Sequence, residues 1–488
     1  MRRILMLGLL PALLTLAAMG AAQTLPKAPI PSQKMLLIRL DQEPPEVRFL
    51  VHVLQGLVNR TQSRLYVACS NQEEERLILE KEGVEFRQVT SVPELLAIFK
   101  DAYRGGILYE KECWTNPQRA HVINGLITEC GLEDLLPVTE ELNKEYDLRI
   151  KGSAESRWPQ PGDYFLWAGS NNPLLEGLNR KAILYRHPWS FSAIDYAVAN
   201  RLLTVWIDRA TFDTERGRRR FLRALEKTPP ETAALVARTG VEGAPPPGAA
   251  LEGLSGLEGD ELHGVLAGHR KFPVTLDLVS NLSIHSGFRT PEPKSGEGTA
   301  RPLDRSKCYV ALVLSDGGRG TCFSPEWFRR WSGAKRKGLP VAWLFHPAMG
   351  EVSPAVLKHA AGLAGPEDEL LPGPDRYDEE GSAGHDIWKL GRDDEAGRSV
   401  PPFTDFGGEV LPLRDEVAVT TWTQQIASAL AEEPRPRFLL VRIDTAGSSP
   451  DRLADLAGRL PADAVVVRPS ELVALYREAA TTAQTRDR

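Results

Sequence analysis

Hydrophobic and polar positions along this chain alternate between short apolar runs rich in β-branched residues and longer stretches with helical spacing. In the first part, helices are predicted near 45–58, 92–101 and 118–129, each preceded by a short apolar run. Strands that alternate with helices in this way are typical of an α/β fold with mostly parallel strands. The first predicted strands are 35–40, 64–69, 84–89 and 106–109, and a second small unit is predicted with strands at 182–185 and 203–207 around a helix from Ser192.

From about residue 230 the pattern predicts eight strands in roughly 250 residues, which is the size of a (β/α) barrel. A seven-stranded or open variant would produce the same pattern, so the closed ring is an expectation. The eight predicted strands are 233–237, 272–278, 309–314, 341–345, 369–371, 417–421, 438–443 and 464–467. We therefore predict an N-terminal α/β domain at 23–155, a second small α/β unit with a linker at 156–229, a C-terminal barrel-like domain at 230–480 and a disordered tail at 481–488.

The first residues predict export from the cell. Two arginines are followed by an apolar run over 4–18, which is too short and too rich in small residues to span a membrane comfortably. Gly20 and Ala22 have the small side chains that a signal peptidase accepts, so residues 1–22 are expected to be cleaved before Gln23. A retained anchor is the alternative. The mature protein is predicted to be secreted or periplasmic, with no membrane span after cleavage.

Composition and charge limit the classes of partner and cofactor that are expected. The formal net charge of -6 lacks the basic excess that neutralises phosphates, so nucleic acid is not expected as a partner. The five cysteines include no CxxC pair, and a bridge between Cys308 and Cys322, or between Cys113 and Cys130, competes with buried free thiols. No HExxH or HxH spacing is present, so the sequence predicts neither a metal nor any other cofactor.

Polar residues that follow predicted strands indicate the chemistry, because ligands of such folds bind where the carboxyl ends of the strands open. Acid–base chemistry by a pair of carboxyl groups needs one group protonated and the other ionised. The expected catalytic residues are Asp316, Glu242 and Asp444, and the expected substrate-binding residues are Asn281, His285, Arg319, His346 and Tyr377. The alternatives are a helix cap for Asp316, a solvated loop acid for Glu242, a turn for Asp444 and a buried structural histidine for His285.

Four segments, in order along the chain, carry a family resemblance: Leu-Gln-Gly-Leu-Val-Asn-Arg at 54–60, Asp-Tyr-Ala-Val-Ala at 195–199, Ser-Asn-Leu-Ser-Ile-His-Ser at 280–286 and the strand that ends in Ser-Asp-Gly at 315–317. Together they resemble the GxGYxYP glycoside hydrolase family, and the likeness extends from about residue 35 to 478. It implies a secreted protein with an N-terminal α/β part, a barrel-like C-terminal part and activity on a glycan. The family pattern Ser-Asp-Gly-Asp-Asn is replaced here by Ser-Asp-Gly-Gly-Arg, and the naming motif keeps at most Tyr377.

Three functions follow from these observations. The first is a secreted glycoside hydrolase with a carbohydrate substrate, for which the guanidinium of Arg319 would favour an anionic sugar such as a uronic acid. The second is a catalytically inactive descendant that binds a glycan or an envelope component, suggested by the altered segments at 315–319 and 375–381. The third is a metal-dependent deacetylase or esterase. The sequence leaves the oligomeric state open.

Overall fold

The computed structural model describes most of the 488-residue chain. The described residues are 25–68, 73–116, 119–230, 232–237, 256–257, 259–276, 279–291, 301–315, 323–331, 339–372, 409–413, 419–431, 436–444 and 449–486. Their strands form four sheets in which all neighbouring strands are parallel, with helices packed against them. The predicted α/β class with parallel strands is therefore confirmed.

The N-terminal part contains two three-stranded sheets. The first sheet unit comprises β1 (Lys34–Arg39), α1 (Pro45–Asn59), β2 (Leu65–Ala68), α2 (Glu73–Lys81), β3 (Glu85–Gln88) and α3 (Val92–Ile98). The second comprises β4 (Gly105–Leu108), α4 (His121–Glu133), β5 (Leu135–Val138), α5 (Glu140–Tyr146), β6 (Ile150–Ser153) and α6 (Ala154–Arg157), and short 3-10 helices lie at Lys100–Ala102 and Lys111–Trp114. In both sheets the first strand is central and the next two pair on opposite sides of it.

The third sheet has four strands and the fourth has six. The third unit comprises α7 (Pro161–Ala168), a 3-10 helix (Pro173–Gly177), β7 (Ala182–Arg186), α8 (Ile194–Asn200), β8 (Leu203–Val205), α9 (Arg209–Phe212), α10 (Glu215–Leu225), β9 (Thr232–Ala237), α11 (Gly259–Gly268), β10 (Lys271–Thr275) and α12 (Leu282–His285). The fourth comprises β11 (Cys308–Ser315), α13 (Pro325–Arg330), β12 (Ala342–Phe345), α14 (Met349–Val352), α15 (Pro354–Leu363), β13 (Glu369–Pro372), β14 (Glu409–Leu413), α16 (Val419–Ala431), β15 (Arg437–Asp444), α17 (Pro450–Gly458), β16 (Ala464–Val467) and α18 (Pro469–Arg486).

The predicted eight-stranded ring is not confirmed by the pairing of the described strands. β9 and β10 belong to the third sheet, in the order β10-β9-β7-β8, whereas β11 to β16 form the fourth, in the order β13-β12-β11-β15-β14 with β16 also on β11. Helices cover both faces of the fourth sheet: Leu472 of α18 packs on one, and Trp422 of α16 on the other. This arrangement is an open, doubly wound sheet. The third sheet therefore contains strands from both sides of residue 230, where the sequence predicts the start of the C-terminal domain.

Two further predictions are wrong for local reasons. The β-branched run 417–421 is predicted as a strand, but α16 begins at Val419, because Trp422, Ile426 and Leu430 repeat at helical spacing and are buried on one side. The polar stretch at 152–162, with its Trp and Pro residues, is typical of a linker, but it contains the end of β6 and the whole of α6, and Trp158 within it is fully buried. A Pro- and Trp-containing segment can look like a linker when its aromatic residue is in fact a core residue.

The central helix of the N-terminal part is α1. It begins with a proline, which suits the first turn because that position needs no backbone N–H, and it is buried along nearly its whole length. It contacts β2, β5 and α8, and so joins the first three sheet units. Gly56 permits this approach, since a Cβ atom there would lie 2.6 Å from the carbonyl oxygen of Asp195.

An extended arm at residues 25–32 crosses from the third unit to the fourth. The backbone N–H of Leu25 donates to Oε2 of Glu351 in α14 at 2.5 Å, and the hydroxyl of Tyr196 in α8 donates to the carbonyl of Pro26 at 2.5 Å. The N–H of Ala28 donates to Oγ of Ser286 at 3.1 Å. An extended segment makes no internal backbone hydrogen bonds, so the arm bonds to the neighbouring units and connects them.

The described cysteines are buried thiols. Cys113, Cys130 and Cys308 are free, so neither of the two considered bridges forms. Burial raises the pKa of Cys113 to about 12, which leaves it protonated and unreactive at neutral pH. Among the helices of the described residues, none combines the length and the apolar character that crossing a bilayer requires.

We expect Gly56→Ala to destabilise the protein by about 1–3 kcal/mol, because the added methyl group would push α1 away from α8. The measurement is the free energy of unfolding by chemical denaturation. Gly264→Ala is the matched control: Gly264 lies exposed in α11 with no atom within 4 Å of its Cβ position, so the change should be neutral or stabilising by up to about 1 kcal/mol. Equal stabilities of Gly56→Ala and the parent would contradict this packing.

Candidate functional site

The carboxyl ends of β11 and β15 lie side by side in the middle of the six-stranded sheet. Their last paired residues are Ser315 and Asp444. β12 and β13 lie on one side of β11, whereas β15 and β14 lie on the other. In open parallel sheets ligands bind outside the carboxyl ends of the strands. This edge is therefore the candidate site of the C-terminal sheet.

The predicted catalytic residues are distributed over two sheets. Asp444 ends β15, where it pairs with Ser315 of β11. Asp316 follows β11 directly but lies outside the described residues, as do Arg319 and Tyr377. Glu242 is also outside them, and it follows β9 of the four-stranded sheet. Asp444 thus pairs with Ser315, the residue before Asp316 in the sequence, whereas β9, the strand before Glu242, belongs to a different sheet.

His346 follows β12 at the same edge of the six-stranded sheet. Its side chain is 7% exposed, and Nδ1 accepts a hydrogen bond from the N–H of Ala348 at 3.1 Å. Burial lowers the pKa of His346 to about 4, so the ring is neutral near pH 7. Nδ1 must then be the acceptor and Nε2 must carry the hydrogen. His346 is fixed in one orientation at the start of the turn to α14.

Asn281, a predicted substrate-binding residue, is occupied by backbone contacts. Its Oδ1 accepts from the N–H of Val67 at 3.2 Å, and its Nδ2 donates to the carbonyl of Val67 at 3.0 Å. Nε2 of Gln55 in α1 donates to the same Oδ1 at 2.6 Å. The backbone at Asn281 has φ of 47°, a left-handed conformation that asparagine tolerates better than most residues. The geometry gives Asn281 a structural role on β2.

Ser283, two residues later, is held by three neighbours. Its N–H donates to Oδ2 of Asp195 in α8 at 2.8 Å, and its Oγ accepts from Nδ2 of Asn59 in α1 at 2.9 Å. Its carbonyl accepts from Oγ of Ser63 at 2.9 Å. Three of the four segments that carry the family resemblance thus meet at one buried junction between α1, α8 and α12. We call residues 279–286 the junction loop.

A second buried group lies on the other side of the junction loop. Oγ of Ser280 donates to the carboxylate of Glu75 in α2, and Nε2 of His285 lies 3.8 Å from Oε2 of Glu75. Glu75 and His285 are 4% and 1% exposed, so neither meets solvent in this conformation. Within the part of the chain that the structure describes, no hydrogen-bond partner reaches either ring nitrogen of His285.

Burial changes the ionisation of this pair. It raises the pKa of Glu75 to about 7, against the hydrogen bonds from Ser280, and the nearby charge of Asp195 acts in the same direction as burial. It lowers the pKa of His285 to about 4. Between these two values both side chains are neutral, so the 3.8 Å contact is not an ion pair over most of that range.

The junction is therefore closed to solvent, and its contacts in this conformation are structural. Glu75 was not among the predicted residues, although the spacing Glu75, Ile78 and Leu79 places it on the buried side of α2. A carboxylate on the apolar side of a helix is the signal that would have found it. Among the described residues, no three His, Cys, Asp or Glu side chains are grouped to hold a metal ion.

The described residues form an α/β protein with parallel sheets, and comparison with known proteins found one similar family model and one similar solved structure. The family model described as GxGYxYP_N 1st domain matches residues 34–101, which contain β1 to α3. The solved structure of a Bacteroides thetaiotaomicron protein described as a "putative hydrolase" has a TM-score of 0.65 at 12% identity, over 93% of this chain and 96% of that chain. This likeness shows the fold alone. No curated protein matches the sequence.

We expect Glu75→Gln to change how stability depends on pH. An acid whose pKa is higher in the folded protein than in the unfolded chain reduces stability as pH rises from the unfolded value, here near 4.5, to the folded value near 7. Glutamine removes this loss. Relative to the parent, Glu75→Gln should gain roughly 3 kcal/mol of unfolding free energy between pH 4.5 and pH 8.5.

The check is chemical denaturation of both proteins across that pH range. Glu85→Gln, at an exposed position on β3, is the control and should keep a constant difference from the parent. A difference between Glu75→Gln and the parent that does not vary with pH would show that Glu75 is not a buried acid.

Proposed function

We propose that this chain is a secreted glycoside hydrolase whose two carboxylates are Asp316 and Asp444. The observation that supports this most directly is the pairing of Ser315 with Asp444 at the carboxyl ends of β11 and β15. Asp444 ends its strand there, and Asp316 is the residue after Ser315 in the sequence. The similarity of residues 34–101 to the GxGYxYP_N domain, and of the fold to a protein described as a hydrolase, favours the same activity.

The separation of neighbouring strands is compatible with the carboxyl separations that glycoside hydrolysis requires. Neighbouring strands are about 4.8 Å apart, and carboxyl groups of glycoside hydrolases are separated by about 5–5.5 Å in retaining enzymes and about 6.5–9.5 Å in inverting ones. Two aspartates on adjacent strand ends can reach either separation. One would protonate the leaving oxygen while the other attacks the sugar or activates water. Glu242 is the second choice because it follows a strand of the other sheet.

The substrate contacts in this proposal come from the loops around the same edge. In the sequence Arg319 follows β11, His346 follows β12 and Tyr377 follows β13, and these three strands belong to one sheet. Asn281 and His285 are 2% and 1% exposed in the junction loop, and a sugar would have to displace their packing to reach them. Secretion remains part of the proposal through the predicted signal peptide at residues 1–22.

We expect Asp316→Asn and Asp444→Asn each to reduce hydrolysis of a susceptible glycan by about 100- to 10,000-fold, because each removes one of the two acid–base groups. The measurement is release of reducing sugar, with circular dichroism to confirm folding. Asp451→Asn, at an exposed aspartate in the first turn of α17, makes the same chemical change outside the site and should retain activity.

Other outcomes separate the alternatives. Loss of activity in Glu242→Gln with activity kept in Asp444→Asn would move the second acid to the other sheet. Glycan binding by the parent without release of any sugar would support the inactive, glycan-binding descendant. Activity that depends on added metal and removes acyl groups would support the deacetylase or esterase.

A further inference from the structure

Helix α10 carries a concentrated positive charge on a chain that is negative overall. Its eleven residues include five arginines and one glutamate, whereas the net charge of the chain is -6. Arg216, Arg220 and Arg223 are spaced i, i+4 and i+7, so they lie along one side of the helix. Arg216 and Arg223 are exposed, and Arg220 is half-buried. We call these three residues the arginine row.

The arginine row differs from its neighbours in how its charges are compensated. Arg218 on the opposite side of α10 pairs with Glu215 at 2.8 Å, and Arg209 of α9 pairs with Asp213 at 3.0 Å. None of the three residues of the row forms an ion pair within the described chain. The exposed guanidinium groups of Arg216 and Arg223 are therefore available to an external anion, whereas that of Arg220 lies against Gly162 of α7.

The helix holds the row in place. Thr214 caps α10 by accepting the N–H of Gly217 at 2.9 Å, and Phe221 is fully buried against Phe165 and Tyr185. Gly162 and Gly169, at the two ends of α7, leave room for Arg220 and for the stem of Arg223. Because α10 is held rigidly by these contacts, less conformational entropy is lost when the row binds a ligand.

We infer that the arginine row is a docking surface for an acidic polysaccharide, a chain of sugars that carry carboxylates. This deepens the proposed function, on which it rests, by naming the substrate class. Arginine presents a planar fork of donors that matches a carboxylate in two parallel hydrogen bonds. The row extends over about 10.5 Å of helix, so it can contact successive charged sugars of one extended chain.

Other anionic partners fit the surface less well. A lipid surface also requires apolar side chains that insert beside the cations. Among the described residues of α7 and α10, Leu166 is the only large hydrophobic side chain that is exposed, so this surface lacks a set of apolar residues that could insert into a membrane. Single-stranded nucleic acid would need exposed aromatic rings for base stacking, yet Phe165 and Phe221 are buried. A carboxylated sugar chain needs only the spaced cations that the row provides.

The experiment measures the affinity of the full chain for polygalacturonate by calorimetry at low salt and at 0.3 M salt, with neutral dextran as the uncharged comparison. Arg216→Gln with Arg223→Gln removes two charges from the row. Arg209→Gln with Arg218→Gln is the matched control, since it removes two paired arginines nearby and changes the net charge equally. Circular dichroism shows whether both double variants fold.

We expect the row variant to weaken polygalacturonate binding at least tenfold and to reduce its salt dependence, while the control changes the affinity twofold or less. Equal weakening in both variants, absent binding by the parent, equal binding of dextran, or tighter binding to single-stranded DNA or anionic vesicles would each overturn the inference. Binding through the row with no turnover in any assay would contradict only the proposed hydrolysis. Turnover of a neutral glycan without polygalacturonate binding would contradict only the docking surface.

Discussion

Polar groups that leave water must find hydrogen-bond partners inside the protein, and this constraint determines which segments of the chain pack together at the junction loop. The short helix α12 satisfies part of the backbone of residues 279–286, and side chains from distant segments satisfy the N–H and the carbonyl of Ser283. Asp195 accepts the N–H of Ser283, and Asn281 in turn satisfies the backbone of Val67. Each member depends on the others, because removal of one leaves a buried partner unpaired.

The junction explains why three resemblance segments that are far apart in the chain occur together. The segments around Gln55, Asp195 and Ser283 are the structural connection between the first and third sheet units. The proposed chemistry lies elsewhere, at the neighbouring carboxyl ends of β11 and β15.

The individual elements with strong periodicity could be predicted from the sequence. β1 and α1 lie within a residue or two of their predicted bounds, and β11, β12 and β15 were found as apolar runs. β5 and β6 were missed because they are four residues long, with a proline in one and a glycine in the other. Such short runs carry little pattern by themselves.

The arrangement of the strands could not be predicted in the same way. A ring and two open sheets require the same alternation of strands and helices, and only the order of pairing distinguishes them. For the site, the sequence indicated that polar residues follow the strands, but not that Asn281 and His285 face inward while Asp444 ends beside β11. Those outcomes depend on partners distant in sequence, such as Val67 and Glu75.

Native-state hydrogen exchange tests most directly whether the junction loop joins the sheet units into one cooperative structure. The amides of Val67 and Ser283, which donate to Asn281 and Asp195, are the reporters. If the junction belongs to the common core, both amides exchange only by global unfolding, with the same free energy as the amides of β9. Exchange of Ser283 by a local opening with a much lower free energy than that of β9 would contradict the account.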